Sequence, residues 1–214
     1  MADATRTIED RLREEYFQLL PEIRRVTGQL ESQINYHLLP IANALEEHEQ
    51  LVVKSRIKEC ESAVDALRRR SQEGGTFHKD RPEQYTLANL KDLAGLRILV
   101  FPRRRILEVD RALRAIFHSW TADHVKDDED QVLAFKYHGY SGASERIRGE
   151  YQIVSMLTGL FWEVEHSAIY KPTPRLRSVA RSLAMQQRSK EVSDALKAFE
   201  EEFEALIHLK MPPS

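Results

Sequence analysis

The sequence predicts an α+β (α/β mixed) fold: a central mixed β-sheet of about five strands flanked by helices, with helical extensions at both ends. Three observations predict it. Two long segments, 5–49 and 177–209, space their apolar residues at the helical period. Strand-length runs rich in β-branched residues, 51–58 and 96–101, are separated by a shorter helical pattern. A tight hairpin is expected within 143–154, followed by another helical segment. The chain is read as one domain over 1–214, with helices over 1–49, a core over 50–171 and a C-terminal helix over 172–214.

Composition narrows the class. A chain of 214 residues can bury one sizeable core. A net charge of −2 offers no global attraction to nucleic acid or an anionic membrane, so any basic site must be local. The single cysteine, Cys60, excludes a disulfide framework and a cysteine-built metal centre. Its place in a helical segment points to a structural role. No apolar run reaches bilayer length, and the charged N-terminus lacks a signal-peptide core. A cytoplasmic, reducing location without a membrane partner is therefore expected.

In order, apolar residues from Ile8 and Leu12 to Ile41 and Leu45 keep helical spacing, and Pro21 and Pro40 predict two or three helices rather than one rod. These pack on the core or on a second subunit. Residues 51–58 predict a strand whose Arg56 and Lys58 share a face, and 59–72 a helix ending in Arg68-Arg69-Arg70. A Gly-Gly loop over 73–84 and a helical turn at Thr86–Lys91 lead to Asp92. Residues 96–101 are apolar on both alternation faces and predict a central strand covered on both sides, with Gly95 permitting a tight turn before it. Residues 103–119 predict a helix opening on Arg103-Arg104-Arg105, an arrangement against the helix dipole that marks a candidate functional surface. A short strand is expected at 120–125 and a charged loop at 126–138. The hairpin turns at Arg148-Gly149, with Glu150 and Gln152 on one face and Tyr151 and Ile153 on the other. Helices over 155–170, with Leu157, Leu160, Phe161 and Val164 inward, and over 177–209, with a Val192–Leu206 stripe, complete the chain.

The polar exceptions gather at strand ends: Arg56, Lys58, Asp92, Arg97, Tyr140 and Glu150. Two acids at the ends of separate strands can hold a hard cation such as magnesium. Cations beside them can hold a polyphosphate, and an exposed tyrosine after a glycine offers a stacking face. Together they point to transfer of a phosphate group.

Five stretches, in order, resemble the RelA/SpoT-type (p)ppGpp synthetase domain in its small alarmone synthetase form, over roughly 50–171. They are Ser55-Arg56-Ile57-Lys58, Asp92-Leu93-Ala94-Gly95-Leu96-Arg97, Gly139-Tyr140, Glu150-Tyr151-Gln152-Ile153, and Trp162-Glu163-Val164-Glu165-His166 with Tyr170-Lys171. The resemblance implies a nucleotidyltransferase-like sheet and the stand-alone form, with no hydrolase domain expected ahead of the motifs. It implies an ATP-dependent pyrophosphokinase that moves diphosphate from ATP to the ribose 3′-hydroxyl of GDP or GTP. Arg56 and Arg97 would sandwich the adenine and Lys58 would hold ATP phosphates. Asp92 and Glu150 would bind Mg2+ and form the catalytic pair, Glu150 as metal ligand or as base. Tyr140 would stack on the acceptor base, with Lys136, His138 and Gln152 completing the acceptor side. A homo-oligomer is compatible with the helical flanks.

The departures from the family pattern concentrate on the acceptor side. After Gly-Tyr the family has Arg-Ser, one variable residue and His; here the run is Ser141-Gly142-Ala143-Ser144. Ala66 stands where a lysine is common, and the family's Glu-Ile-Gln-Ile-Arg-Thr ends here as Val154-Ser155. Two alternatives therefore stay open: a toxic relative acting on another acceptor such as the tRNA 3′ end, and a non-catalytic nucleotide-binding relative. Arg103–Arg105, Arg175, Arg177 and Arg181 are the basic groups a nucleic acid would use.

Overall fold

The computed structural model describes residues 7–71, 77, 82–127, 130–170 and 175–210. Helix α1 spans Ile8–Asn43, followed by β1 (Gln50–Ile57), α2 (Cys60–Ser71) and β2 (Ala94–Phe101). Then come α3 (Ile106–Ile116), β3 (Thr121–Ala122), β4 (Val125–Lys126), β5 (Val132–Gly139) and β6 (Gly149–Ser155). Helices α4 (Met156–Glu165), α5 (Arg177–Ala180) and α6 (Leu183–Lys210) close the described chain. The six strands form one mixed sheet in the order β1-β2-β6-β5-β3, with β4 also on β5. Only β2 and β6 run parallel.

Both prolines lie inside α1, which is one helix of 36 residues rather than two or three. An interior proline removes a backbone bond at a cost of about 3 kcal/mol. The apolar stripe outweighs it here: Leu12, Tyr16, Leu19, Ile23, Val26, Leu30, Ile34 and Leu38 are all buried, and they join two core clusters along one face of the sheet. On that face the paired rows are Leu96–Tyr151–Tyr137 and Ile98–Ile153–Phe135, which pack on α1 and α3.

Other expectations are corrected. The supposed charged loop at 126–138 contains β5, whose polar Lys136 and His138 alternate with Phe135 and Tyr137. Thus β5 and β6 make the hairpin, and 143–147 is a turned connection held by Ser144, whose Oγ accepts from the Arg146 and Ile147 amides at 2.9 and 2.8 Å. Gly95 is a strand residue, not a turn. Strand β2 is covered on both faces only over its later half, where Leu99 lies under α4.

Helix α4 turns Gly159 to the sheet, while Leu160 and Val164 are exposed. A Cβ on Gly159 would fall 2.4 Å from Leu99, so the helix backbone itself rests on the strand. Past Glu165 the chain continues as one π turn, His166–Tyr170. The C-terminal helix breaks at Arg181-Ser182. It docks through buried polar bonds, Ser155 to Glu200 and Ser189 to Glu165, and leaves Val192, Phe199 and Leu206 of its stripe exposed. Arg103–Arg105 form a short helical turn whose charges are spent on structure. Arg104 and Arg105 reach the buried Glu49 carboxylate at 2.9 and 2.5 Å, and the Arg104 amide donates to Glu204. Most of the loop at 73–84, Lys171 and the side chain of Tyr170 lie outside the described residues.

Candidate active site

Strand register lays out the site. Residues paired across a sheet point to the same side. On the face away from α1 the rows are Arg56–Gly95–Glu150–His138, then Lys54–Arg97–Gln152–Lys136, then Val52–Leu99–Val154–Ala134. The third row is apolar, with Val52 exposed and Leu99 and Val154 covered by α4; the first two are polar. Gly95 leaves the floor bare between Arg56 and Glu150, where a Cβ would meet only backbone oxygens at 3.6 and 3.9 Å.

The first two rows open on a groove of about 700 Å³ lined by Lys54, Arg56, Arg97, Gln152, Trp162, Glu163 and neighbours. Arg97 is fixed in it. Its Nε donates to Gln152 Oε1 at 3.2 Å, its Nη1 donates to the Gly159 carbonyl at 3.4 Å and lies 3.7 Å from Glu163. Burial pushes Arg97 below its ordinary pKa; Glu163 opposes this and Arg56 adds to it. Among the described residues no hydrogen bond or ion pair engages the Arg56 guanidinium. Two planar cations, one fixed and one open, thus line the groove, and guanidinium planes can stack on an aromatic ring.

At one end of the groove lie the acids. Asp92 lies two residues before β2, and its carboxylate pairs with Lys58 and, at 3.7 Å, with Arg70. Lys58 is held from both sides: its amide donates to the Leu93 carbonyl at 3.0 Å, and its own carbonyl accepts from the Tyr16 hydroxyl at 2.9 Å. It follows β1 rather than sharing the strand face with Arg56. Glu150 lies 3.4 Å from Lys136 Nζ. Burial raises the Asp92 carboxyl, but Lys58, Arg70 and Lys136 outweigh it and hold it below the usual range. Burial, reinforced by the charge of Asp92, pushes Glu150 up despite Lys136. The two acids thus feel each other and share the field of Lys58 and Lys136. Asp92 Oδ1 is buried without a hydrogen-bond partner. An oxygen without a hydrogen bond, on a carboxylate that feels the charge of Glu150, can serve magnesium, which takes one or two carboxylates and completes its shell from substrate phosphates and water. No cluster of three or more His, Cys, Asp or Glu side chains occurs among the described residues.

At the far end of the hairpin the Tyr140 ring is half exposed, with the Arg148 guanidinium 5.4 Å from its centroid. Its carbonyl accepts from Trp120 Nε1 at 3.2 Å. Gly139 is obligatory here, because a Cβ would come within 2.6 Å of the Trp120 ring. His138 is buried, and its Nδ1 has no partner among the described residues. Gln152, expected at the acceptor, bonds Arg97 inside the groove. Ser144 is buried and donates to Glu22 at 2.6 Å.

Sequence reasoning missed Lys54, Arg70, Trp120 and Arg148, and quoted Glu163 only within a motif. Glu163 bridges Arg97 and Lys54, the latter at 3.0 Å. Lys54 was findable as the alternate residue before Arg56; Trp120 carried no local signal. Cys60 is half-buried against the core and its thiol is pushed up by burial, in keeping with a structural role.

No protein-family model and no curated protein matches the chain. Solved structures do. The small alarmone synthetase 1 from Bacillus subtilis superposes with a TM-score of 0.66 at 17% identity, covering 94% of this chain and all of that one. The same enzyme bound to its product pppGpp gives 0.64 at 18% identity, over 92% of this chain and 98% of that one. A GTP pyrophosphokinase family protein from Streptococcus pneumoniae gives 0.61 at 18% identity, over 92% and 94%. The chain therefore has the mixed α+β fold of the small alarmone synthetases over nearly its whole described length.

Proposed function

We propose that this protein is an ATP-dependent pyrophosphokinase that transfers the β,γ-diphosphate of ATP to the ribose 3′-hydroxyl of GDP or GTP. The observation that carries the reading is the alignment of Arg56, Arg97, Glu150, Gln152 and Lys136 on one open face of a sheet with the alarmone-synthetase fold, with Asp92 paired to Lys58 and in the field of Lys136. In this reading adenine lies between Arg56 and Arg97, and Lys58 turns from Asp92 to the phosphates. Bound magnesium, held by Asp92 and Glu150, would neutralise triphosphate charge. Lys136 and Tyr140 orient the acceptor. The 3′-oxygen bonds to the β-phosphorus, the bridge to the α-phosphorus breaks, AMP leaves, and Glu150 stands to take the hydroxyl proton.

A second reading is favoured by Ser144. Where the family carries a cationic side chain, this hydroxyl is consumed inside the protein by Glu22 and two backbone amides. It has nothing left for an acceptor phosphate, which suits a different acceptor such as the tRNA 3′ end. One experiment separates the readings. ATP labelled in its γ-phosphate is offered with magnesium and GDP, GTP or tRNA in separate reactions. AMP and a guanosine product carrying the label once, in the outer phosphate of its new 3′-diphosphate, formed one to one, support the first reading. Label transferred only to tRNA moves the assignment to the second, and no transfer to any acceptor overturns both.

A further inference from the structure

We propose that the groove between α3 and the β3 edge of the sheet is a second ligand site, one that takes a multiply charged phosphate group. It has a volume of about 420 Å³ and lies on the sheet face opposite the candidate active site. Arg111 and Arg114 enter it from α3, His118 from the turn that follows, and His124 from the turn between β3 and β4. Phe117, Trp120 and Tyr137 form its buried floor.

Three observations point to an anion. First, the lining contains no carboxylate. Asp110, buried on α3, accepts from the hydroxyl of the floor residue Tyr137 at 2.6 Å, and Asp123 lies 3.7 Å from Lys136. Second, among the described residues neither Arg111 nor Arg114 has a carboxylate partner; Arg111 Nε reaches only the Leu107 carbonyl of its own helix, at 3.2 Å. In a chain of net charge −2, a groove lined by one sign alone is a local exception. Third, His124 is fixed. Its Nδ1 accepts from the Lys136 amide at 3.2 Å, so in the neutral ring the proton stands on Nε2 as a donor. Two planar guanidiniums with imidazole donors suit phosphate oxygens.

The groove also touches the acceptor half from behind. His124 bonds the backbone of Lys136, and Trp120 bonds the backbone of Tyr140. A ligand seated on Trp120 and His124 therefore acts on the two residues placed at the acceptor, Lys136 and Tyr140; that consequence rests on the proposed function, while binding itself does not.

The test reads binding, not turnover. The chain has two tryptophans, so Trp162→Phe leaves Trp120 as the reporter of this groove. Pyrophosphate titrated into that variant is expected to change Trp120 fluorescence saturably, and calorimetry on the unmodified protein gives the affinity. Arg111→Gln with Arg114→Gln should weaken the Trp120 response about tenfold or more, since each charged bond removed is worth roughly a factor of ten. Lys58→Gln, on the other face, should leave it in place. Nucleoside diphosphates binding more tightly than pyrophosphate would identify a nucleotide as the source of the phosphate; equal affinity would identify a free polyphosphate. A Trp120 signal that does not respond, or one lost with Lys58→Gln and kept in the double arginine variant, overturns the proposal.

Discussion

On the donor side, Arg97 is held by Gln152, Gly159 and Glu163 while Arg56 has no partner among the described residues, and a groove of about 700 Å³ lies between them. On the acceptor side most candidates are already engaged within the protein: Lys136 by Glu150 and Asp123, Tyr140 by Arg148 and Trp120, Gln152 by Arg97, and Ser144 by Glu22, while the buried His138 keeps Nδ1 without a partner among the described residues. Both halves stand on one sheet, Arg56 on β1 and Arg97 on β2, Lys136 and His138 on β5. The difference lies in what the side chains have left to offer. The donor half is preorganised around an open cation. The acceptor half must give up contacts before it can take a ligand, and giving them up costs affinity.

Replacing Asp92 should have the largest effect, because it breaks the part common to both halves. Asp92→Asn removes charge but not volume. Transfer is expected to fall roughly a hundred- to thousandfold, the range seen when one preorganised charge stabiliser is lost. Circular dichroism should show the fold retained; full turnover would contradict the assignment. Next comes Arg56→Ala, which should weaken binding of a non-hydrolysable ATP analogue by roughly ten- to a hundredfold and leave acceptor binding unchanged. A smaller, opposite change is expected from Trp120→Phe. It removes the bond to the Tyr140 carbonyl, worth about 0.5–1.5 kcal/mol, together with part of the indole buried against Phe117 and Tyr151. The acceptor KM should rise several-fold with the donor KM unmoved; equal changes in both would show that Trp120 serves general packing.

Glu49→Gln should move neither half. Burial alone would raise the Glu49 carboxyl, but Arg105 and Arg104 outweigh it and bring it down to about 2. A carboxyl depressed on folding contributes stability above its unfolded value near 4.5, and that contribution is lost as pH falls toward 2. Unfolding midpoints of the unmodified protein should therefore drop through that window. The variant, less stable at neutral pH, should show a shallower decline, with nucleotide affinities unaltered. A parallel decline would remove Glu49 from the account of acid sensitivity.

Much of the fold was legible where one periodicity acted alone. The α1 stripe from Leu12 to Ile41 and the Leu96–Val100 run follow from spacing, and packing then carried α1 through Pro21 and Pro40. Strand β5 was hidden because its two faces obey different needs: Lys136 and His138 serve the open face and Phe135 and Tyr137 the core, so charge masked the alternation. Helix α4 was read out of phase because the decisive contact belongs to Gly159, a residue with no side chain to signal it. In the site, Arg56, Asp92, Arg97 and Glu150 stood out as charges beside apolar strands. Trp120 did not, since its packing on Gly139 and Tyr151 and its bond to Tyr140 are all long-range. Gln152 could be placed on a face by alternation, but its bond to Arg97 depends on the neighbour across the parallel β2–β6 pair, which no local pattern reveals.

The contrast between the halves is tested most directly by calorimetry with one nucleotide at a time. The account predicts that a non-hydrolysable ATP analogue with magnesium binds the unmodified protein and is weakened by Arg56→Ala. It predicts that GDP binds more weakly than the analogue, with much of that affinity lost in Tyr140→Ala. Tight GDP binding that Tyr140→Ala leaves unchanged would contradict it.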